Sequence, residues 1–160
     1  MSKNKLQRLA KHLIDARYQG RKLAHAEQFD CFIEGGRIEP ENRVLNANRQ
    51  ILGATIHYSG TISINPCYAP AELVATYVSF WLQNNADKND SVDAEFTFDQ
   101  TENGENEIEI TIEHFSDEIT LVESDTGPFE LNGKTYELGE ASTWVAENFV
   151  LDVDICREIT

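Results

Sequence analysis

The sequence predicts an α+β fold in which a mainly antiparallel β-sheet is packed by two amphipathic helices and extended by a C-terminal β-hairpin. Three observations predict it: two segments with apolar residues at helical spacing, several segments with alternating apolar and polar residues, and turn signals between these segments. Strands joined by hairpin turns pair antiparallel, and helices set between them pack on the sheet. The chain has 160 residues, enough for one domain with its own core.

The first helix is predicted to begin near Leu6 and to end near Gly20, since glycine commonly stops a helix. Its core-facing side carries apolar residues at helical spacing: Leu6, Leu9, Leu13 and Ala16. Its other side carries cations: Lys5, Arg8, Lys11 and Arg17. The later segment FDCFIE is predicted to form a short strand that leads into a glycine pair.

That pair, Gly35 and Gly36, stands beside Arg37, a combination that either cradles a phosphate or turns a hairpin. A phosphate-binding loop needs a helix directly after its glycines, with the N-terminal amides pointing at the anion. The residues that follow, RIEPENRVLNANRQ, show no helical pattern. We therefore predict a hairpin turn at the glycines, with Arg37 exposed on it and available to a partner.

The longest alternating segment is ILGATIHYSGTISI, in which even positions are apolar or aromatic and most odd positions are polar. This pattern predicts a long strand with one solvent-facing side, and Gly60 in its apolar row predicts a bulge or bend. Pro70 is well placed to start the second helix, which ends at Asn84 and Asn85. The core-facing stripe of that helix is Leu73, Val74, Tyr77, Val78 and Trp81.

Three further alternating segments predict a meander of strands. The first places two aromatic residues, Phe96 and Phe98, on one side. The second carries isoleucines on one side, at Ile108, Ile110 and Ile112, and glutamates on the other, at Glu107, Glu109 and Glu113. A turn at Ser116 and Asp117 would then lead into the third segment, EITLVE.

The C-terminal part of the chain contains a strong hairpin signal. Asn132 and Gly133 are the pair that a two-residue type I′ turn needs, because both turn positions have positive φ. Phe129 would then face Tyr136 across the hairpin. The later segment STWVAENFVLDVDI has a mixed period and is predicted as a short helix or strand.

No residue pattern predicts a catalytic, cofactor or metal site. The carboxylates fall on the polar sides of strands, where solvation accounts for them, and no nucleophile motif is present. The four histidines lack metal-ligand spacing, so we expect them to face solvent. A calcium loop from Asp99 is disfavoured because Ile110 stands where a bidentate glutamate is needed, so a hairpin loop is predicted there. The sequence therefore predicts a binding or structural protein and no enzyme.

The charge is strongly negative and unevenly distributed, with a formal net charge of −15. Residues 1–49 hold ten Lys and Arg against six Asp and Glu, net +4, whereas residues 50–160 hold three against twenty-two, net −19. A body this acidic repels the nucleic-acid backbone and does not wrap it as a ligand. Its acidic surface is either a solvated face that aids solubility or a surface for a basic partner or for passing DNA.

Few features of the sequence indicate the cellular compartment of the protein. No apolar run approaches the roughly 20 residues that a transmembrane helix needs, and the basic N-terminal segment lacks the apolar stretch of a secretory signal. Three widely spaced cysteines, Cys31, Cys67 and Cys156, fit mostly buried, reduced thiols. We therefore expect synthesis in a cytoplasm and no membrane partner.

Taken in order, these elements make the chain resemble the gpR tail-completion family of contractile-tailed temperate phages. The resemblance rests on the strand with its glycines and arginine at Phe32–Ile38, on Trp81-Leu82 followed by two asparagines, and on the acidic alternating strands of Ile108–Glu123. It covers residues 5–125. We therefore predict a tail-completion-like domain over residues 1–125 and an extension over 126–160 that packs on this domain or projects from it.

The resemblance implies a structural protein of the virion tail that completes or terminates it at the head-proximal end and supports head–tail joining. The implied partners are copies of itself in a ring, by resemblance a hexamer, together with tail tube and sheath proteins and neck or head-completion proteins. DNA would pass through the lumen only as cargo. No cofactor is implied, and assembly would take place in the host cytoplasm.

A closed ring uses heterologous interfaces, in which one patch meets a different patch on the neighbour. The predicted contact residues are Lys3, Lys5, Arg8, Lys11, Arg37, Glu107, Glu109 and Glu113. Two other functions stay open on sequence grounds. The chain could be a neck or head-completion protein of the same assembly, or an acidic DNA mimic that inhibits a nucleic-acid-binding enzyme.

Overall fold

The computed structural model describes residues 4–45, 49–100 and 105–139. The helices are α1 (Lys5–Asp15), α2 (Ala71–Asn85) and a short 3₁₀ helix (Ala26–Gln28). The strands are β1 (Arg17–Tyr18), β2 (Arg21–Lys22), β3 (Phe29–Val44), β4 (Gln50–Cys67), β5 (Glu95–Gln100), β6 (Asn106–Glu123), β7 (Phe129–Leu131) and β8 (Lys134–Leu138). This confirms the predicted α+β fold, with an antiparallel sheet and a C-terminal hairpin.

The large sheet is built on three long strands. β3, β4 and β6 run 16, 18 and 18 residues and pair antiparallel in that order. β5 pairs with the first part of β6, and β8 pairs with the last part of β6. β7 pairs in turn with β8. Two helices cover one face of one half of this sheet, and the other half extends past them.

The predicted hairpin turn at the glycine pair is wrong, because β3 continues through it. Gly35 has φ 106°, and the register against β4 shifts between Ile33 and Gly36. A side chain at Gly36 would overlap the backbone carbonyl of His57. The glycines therefore form a β-bulge that keeps a long strand paired, and no helix follows them.

The predicted turn at Ser116 and Asp117 is also wrong. Both residues lie inside β6, where they pair with His57 and Ile56 of β4. The inward-facing positions change from even to odd along β6 because the register shifts between Ile112 and Phe115. The change of pattern that resembled a turn is thus a bulge within one strand.

Helix α1 ends five residues earlier than predicted. It begins with a capping box, in which Asn4 accepts from the amide of Gln7 and the Gln7 side chain accepts from the amide of Asn4. It ends at Asp15, and Gly20 instead lies with Gln19 in the tight turn between β1 and β2, both at positive φ. Arg17 accordingly lies on a strand.

The main core lies between the two helices and the sheet. Its buried side chains come from α1, α2 and the strands, and include Leu6, Leu9, Leu13, Val74, Val78, Trp81, Ile62, Ile110 and Phe115. Gly60 lies beside a register shift, and a Cβ there would lie 2.5 Å from Leu6 Cδ2, so the glycine lets α1 approach the sheet. The predicted bulge at Gly60 and core stripe of α2 are confirmed, although Leu73 and Tyr77 are only partly buried.

The far half of the sheet has a much smaller core, formed by Ile51, Leu121 and Tyr136. The predicted hairpin is confirmed: Asn132 and Gly133 have φ of 54° and 81°, and Phe129 pairs with Tyr136. The predicted helix or strand at STWVAENFVLDVDI lies outside the described residues, and the domain division at residue 125 stays a prediction. Neither of the described α-helices is long and apolar enough to cross a bilayer.

Candidate functional site

The sheet face turned away from the helices carries a large group of acidic side chains. Cross-strand partners share a face, so Glu109 lies on the side of Ser63, and Glu118 on the side of Thr55. Glu34 accepts from Thr61 at 3.0 Å on the same side. We call this surface the acidic face, formed by Glu34, Glu39, Glu41, Glu95, Asp99, Glu107, Glu109, Glu113 and Glu118.

The polar side of β4 forms the centre of the acidic face but does not face solvent as predicted. Thr55, His57 and Thr61 are all buried. The glutamates of β3 lie over them, because Glu41 accepts from Thr55 at 3.5 Å and Glu39 bonds to His57 at 2.8 Å. Long carboxylate side chains therefore cover a row of short polar ones.

Two histidines predicted to face solvent meet at the middle of this face. Nδ1 of His57 lies 2.8 Å from Nε2 of His114, and Nε2 of His57 lies 2.8 Å from Oε1 of Glu39. The ring centroids are 5.0 Å apart and the ring planes 21° apart, so the rings meet edge to edge in nearly one plane. A neutral His57 that donates to Glu39 must accept from His114, which orders all three groups into one hydrogen-bonded chain.

The hydrogen bond between His57 and Glu39 also has an electrostatic consequence. The hydrogen bond from His57 lowers the pKa of Glu39 below its ordinary value. Sequence reasoning missed the site because the two histidines are far apart in the chain and meet only through the pairing of β4 with β6. Within the described ranges, no group of three or more His, Cys, Asp or Glu side chains is arranged to hold a metal ion.

A shallow depression of about 400 Å³ lies beside the histidines. The bulge at Gly35 and Gly36 forms part of its wall, and Arg37 and Glu113 line it together with both imidazoles. Arg37 is exposed, as predicted, although on a strand and not on a hairpin. The structure thus brings Arg37 and Glu113, two of the predicted contact residues, to one place.

The predicted contact cations of α1 lie on the other side of the sheet from Arg37. Arg8 and Lys11 are exposed on α1, and Lys11 forms an ion pair with Asp15 one turn later. Lys3 lies outside the described residues. Three more exposed cations, Arg17, Arg21 and Lys22, stand on the β1–β2 hairpin, and sequence reasoning assigned none of these three to a contact surface.

Lys5 departs from its predicted role because its ammonium group is buried inside the fold. Its Nζ lies 2.6 Å from Oδ2 of both Asp87 and Asp90, and Asp90 Oδ1 accepts from the amide of Ser116 at 2.8 Å. Burial acts to lower the pKa of Lys5, but the hydrogen bonds to the two aspartates raise it above its ordinary value. Lys5 therefore links α1 to β6 through the loop after α2, and it is not an exposed contact of this chain.

Tyr58, which is buried, and Asp117, which is partly buried, form a second polar group beside α1. Tyr58 donates to Asp117 Oδ2 at 2.5 Å, and the amide of Lys5 donates to the same oxygen at 3.3 Å. Burial raises the pKa of both Tyr58 and Asp117. These groups position α1 and show no arrangement of nucleophile and base.

Comparison with known proteins identifies the family to which this fold belongs. The family model described as P2 phage tail completion protein R (GpR) matches residues 3–140. The chain belongs to this family. No curated protein and no solved structure matches it.

The GpR match confirms the family seen in the sequence and corrects its extent. The resemblance covers residues 5–125, whereas the match continues to residue 140 and therefore includes the β7–β8 hairpin. The chain is thus a phage tail completion protein, a structural component of the tail that associates with other tail components.

Proposed function

We propose that this GpR-family chain terminates the tail at its head-proximal end, as a ring that supports joining to the head. The observation that carries the proposal is the family match over residues 3–140. Tail completion requires a surface for the tube below, one for the neck above, and a passage for DNA. The two unlike sides of this molecule suit such a ring.

The acidic face suits the lumen. Carboxylates on a surface that faces DNA repel its phosphates, so DNA slides past without binding. The opposite, helix-covered side carries Arg8 and Lys11, which are available to tube, sheath or neck proteins. Lys3 is proposed to contact the same partners as Arg8 and Lys11.

The ring is proposed to be a hexamer that forms on the tail tube and is weak in dilute solution. Copies with a net charge of −15 repel one another, and salt screens this repulsion beyond about 10 Å at 0.1 M. The tube therefore acts as the template that offsets the repulsion.

Electron microscopy of tails from a phage that lacks this gene tests the proposal. We expect tubes of abnormal length or tails that never join heads, with normal particles restored by the gene supplied in trans. Normal tails joined to heads in its absence would refute the proposed role.

Images of the particles restored by the gene in trans separate a neck protein from a terminator. A ring of copies on the last tube layer supports the terminator, whereas density confined to the head side of the neck assigns the chain to head completion. The acidic face is also the kind of surface that a DNA mimic presents to a nucleic-acid-binding enzyme. We expect purified protein not to retard duplex DNA at physiological salt, and specific binding to a nuclease or repressor would instead favour the mimic.

A further inference from the structure

Three ionisable groups from three neighbouring strands meet at the centre of the acidic face. Glu39 stands on β3, His57 on β4 and His114 on β6. His57 is only 6% exposed, and both of its ring nitrogens are engaged, Nε2 with Glu39 and Nδ1 with His114, each at 2.8 Å. Each partner of His57 is therefore itself titratable, and a proton added to one of the three groups affects the bonds of the others.

The distance between the two imidazoles fixes how many protons these groups can hold. Two nitrogens 2.8 Å apart share one hydrogen, which one ring donates and the other accepts. The bond from His57 lowers the pKa of Glu39, so its carboxylate is ionised near neutral pH and accepts from Nε2 of His57. Nδ1 of His57 is then unprotonated, and Nε2 of His114 carries the shared hydrogen. Among the residues that the structure describes, none bonds to the remaining nitrogen, Nδ1 of His114.

A first proton and a second proton have different effects on this arrangement. The first can enter at Nδ1 of His114, and every hydrogen bond is kept, since the charged ring still donates to His57. The second would have to bind Nδ1 of His57, which is the acceptor in that bond. Both nitrogens would then carry hydrogens, and two donors that face each other repel. The pair therefore holds one proton while the rings touch and can hold two only when they separate.

We propose that Glu39, His57 and His114 form a pH-sensitive latch, here called the histidine latch, which is closed at neutral pH and opens in acid when both imidazoles are charged. Histidine side chains commonly change charge between pH 5 and 8. His57 is held in place by its burial and by Glu39, and like charges on adjoining rings repel. His114 is therefore the ring that moves.

The surroundings of His114 allow this movement. Its backbone is fixed, because its amide donates to Ser91 Oγ at 2.9 Å and its carbonyl accepts from the Ser91 amide at 2.8 Å. Its ring is partly exposed and lines the depression of about 400 Å³, which gives the ring room to turn away from His57. The latch can therefore open by rotation of one side chain, without a change in strand pairing.

The charged groups around the two rings come from the strands and the loop packed against them. β3 contributes Glu34, Arg37, Glu39 and Glu41, and β6 contributes Glu113 and Glu118. The loop after α2 contributes Asp90, whose carboxylate is paired with Lys5. Carboxylates outnumber cations here, so the two protons taken up on opening make the centre of the acidic face less negative by two charges. The latch belongs to the folded chain and does not depend on the proposed ring.

NMR titration of protein labelled with ¹⁵N-histidine, between pH 8 and 5, tests the latch. We expect His57 and His114 to titrate as a coupled pair in two steps more than about one pH unit apart, whereas the exposed His12 and His25 each titrate in one step. In the second step, the ring-to-ring contacts between His57 and His114 should be lost. Independent single steps for the two rings, or rings that stay in contact when both are charged, would overturn the latch.

Substitutions separate the pair from either ring alone. His114→Gln leaves one titratable ring, so His57 should titrate in a single step. His25→Gln is the matched control, because it makes the same change at an exposed histidine before the 3₁₀ helix, and both steps should remain. Two steps for His57 in the His114→Gln variant would exclude the latch.

A second variant keeps the test decisive if His114→Gln does not fold, which thermal melts at pH 8 show. Glu39→Gln retains an oxygen that accepts from His57 but removes the negative charge. The first step should therefore move to lower pH by about one unit, because the charged pair loses its nearest carboxylate. A first step that does not move would show that Glu39 is not part of the latch and would contradict the proposal.

Discussion

The helix-covered half of the sheet and its far half are built from the same strands, β3, β4 and β6, yet they hold very different cores. Within the described residues, the main cluster contains 22 buried residues, whereas the far cluster contains three. The difference arises because α1 and α2 cover the sheet only from Tyr58 onward in β4. Strand pairing alone therefore carries the sheet beyond the helices, where it has little apolar burial to support it.

The two halves of the sheet are expected to differ in local stability. Regions with few buried apolar contacts open at lower free energy than the core, so the far half should exchange its amide hydrogens first. We therefore expect the helix-covered half to set the free energy of unfolding, whereas the far half lengthens the surface that the sheet presents. Substitutions in the two halves, together with hydrogen exchange, test this division.

Trp81→Ala should have the largest effect. Trp81 is buried in the main core against Phe115, with ring centroids 6.0 Å apart, and truncation of a core aromatic residue costs about 3–5 kcal/mol. Tyr136→Ala in the far cluster should cost less than half as much. Chemical denaturation measures both, and equal losses would show that the two halves contribute equally.

Asp90→Asn should cost about 3 kcal/mol, the lower end for breaking a buried ion pair, because Asp87 still contacts Lys5. Burial opposes ionisation of Asp90, but hydrogen bonds from Lys5 and from the amides of Asp87 and Ser116 lower its pKa below the ordinary 3.8. Since the folded pKa is the lower one, this stabilisation is complete above pH 3.8 and is lost as the pH falls through the folded value. Unfolding of wild type and variant between pH 7 and 2 should therefore converge in acid, and a constant gap would contradict this assignment.

Leu121→Ala in the far cluster should cost about 2 kcal/mol, the low end for a buried leucine, because neighbours at the end of the sheet can move into the space. Leu9→Ala makes the same change under the helices, where Leu9 is fully buried, and should cost more. Hydrogen exchange should show that Leu121→Ala lowers protection mainly in β7, β8 and the end of β6. Loss of protection throughout the sheet would instead show that the two halves unfold as one cooperative unit.

Arg37→Ala should change the free energy of unfolding by less than about 0.5 kcal/mol, since an exposed side chain on an edge strand has few contacts to lose. Thermal melts check this directly. A large loss would mean that Arg37 stabilises the fold and would remove it as a partner contact.

Much of the fold followed from local patterns. The two helices, the alternation along β4, the inward isoleucines of β6 and the turn at Asn132 and Gly133 each arise from spacing or backbone preference within a few residues. The errors lie where a local signal had two outcomes. Gly35–Gly36 and the change of pattern near Ser116 indicated turns, but each is a bulge, because pairing with a long neighbouring strand outweighs the local preference for a turn.

The family, the α+β class and the strongly acidic character of the chain can all be inferred from its residues in order. Three features depend on the folded chain: the burial of Lys5 between two aspartates, the hydrogen bond between His57 and His114, and the choice of strands at the edges of the sheet. The difference lies in the distance along the chain over which each signal acts. Periodicity and turn chemistry act between residues a few positions apart, whereas ion pairs, histidine contacts and open edges depend on strand pairing between residues that the sequence places far from one another.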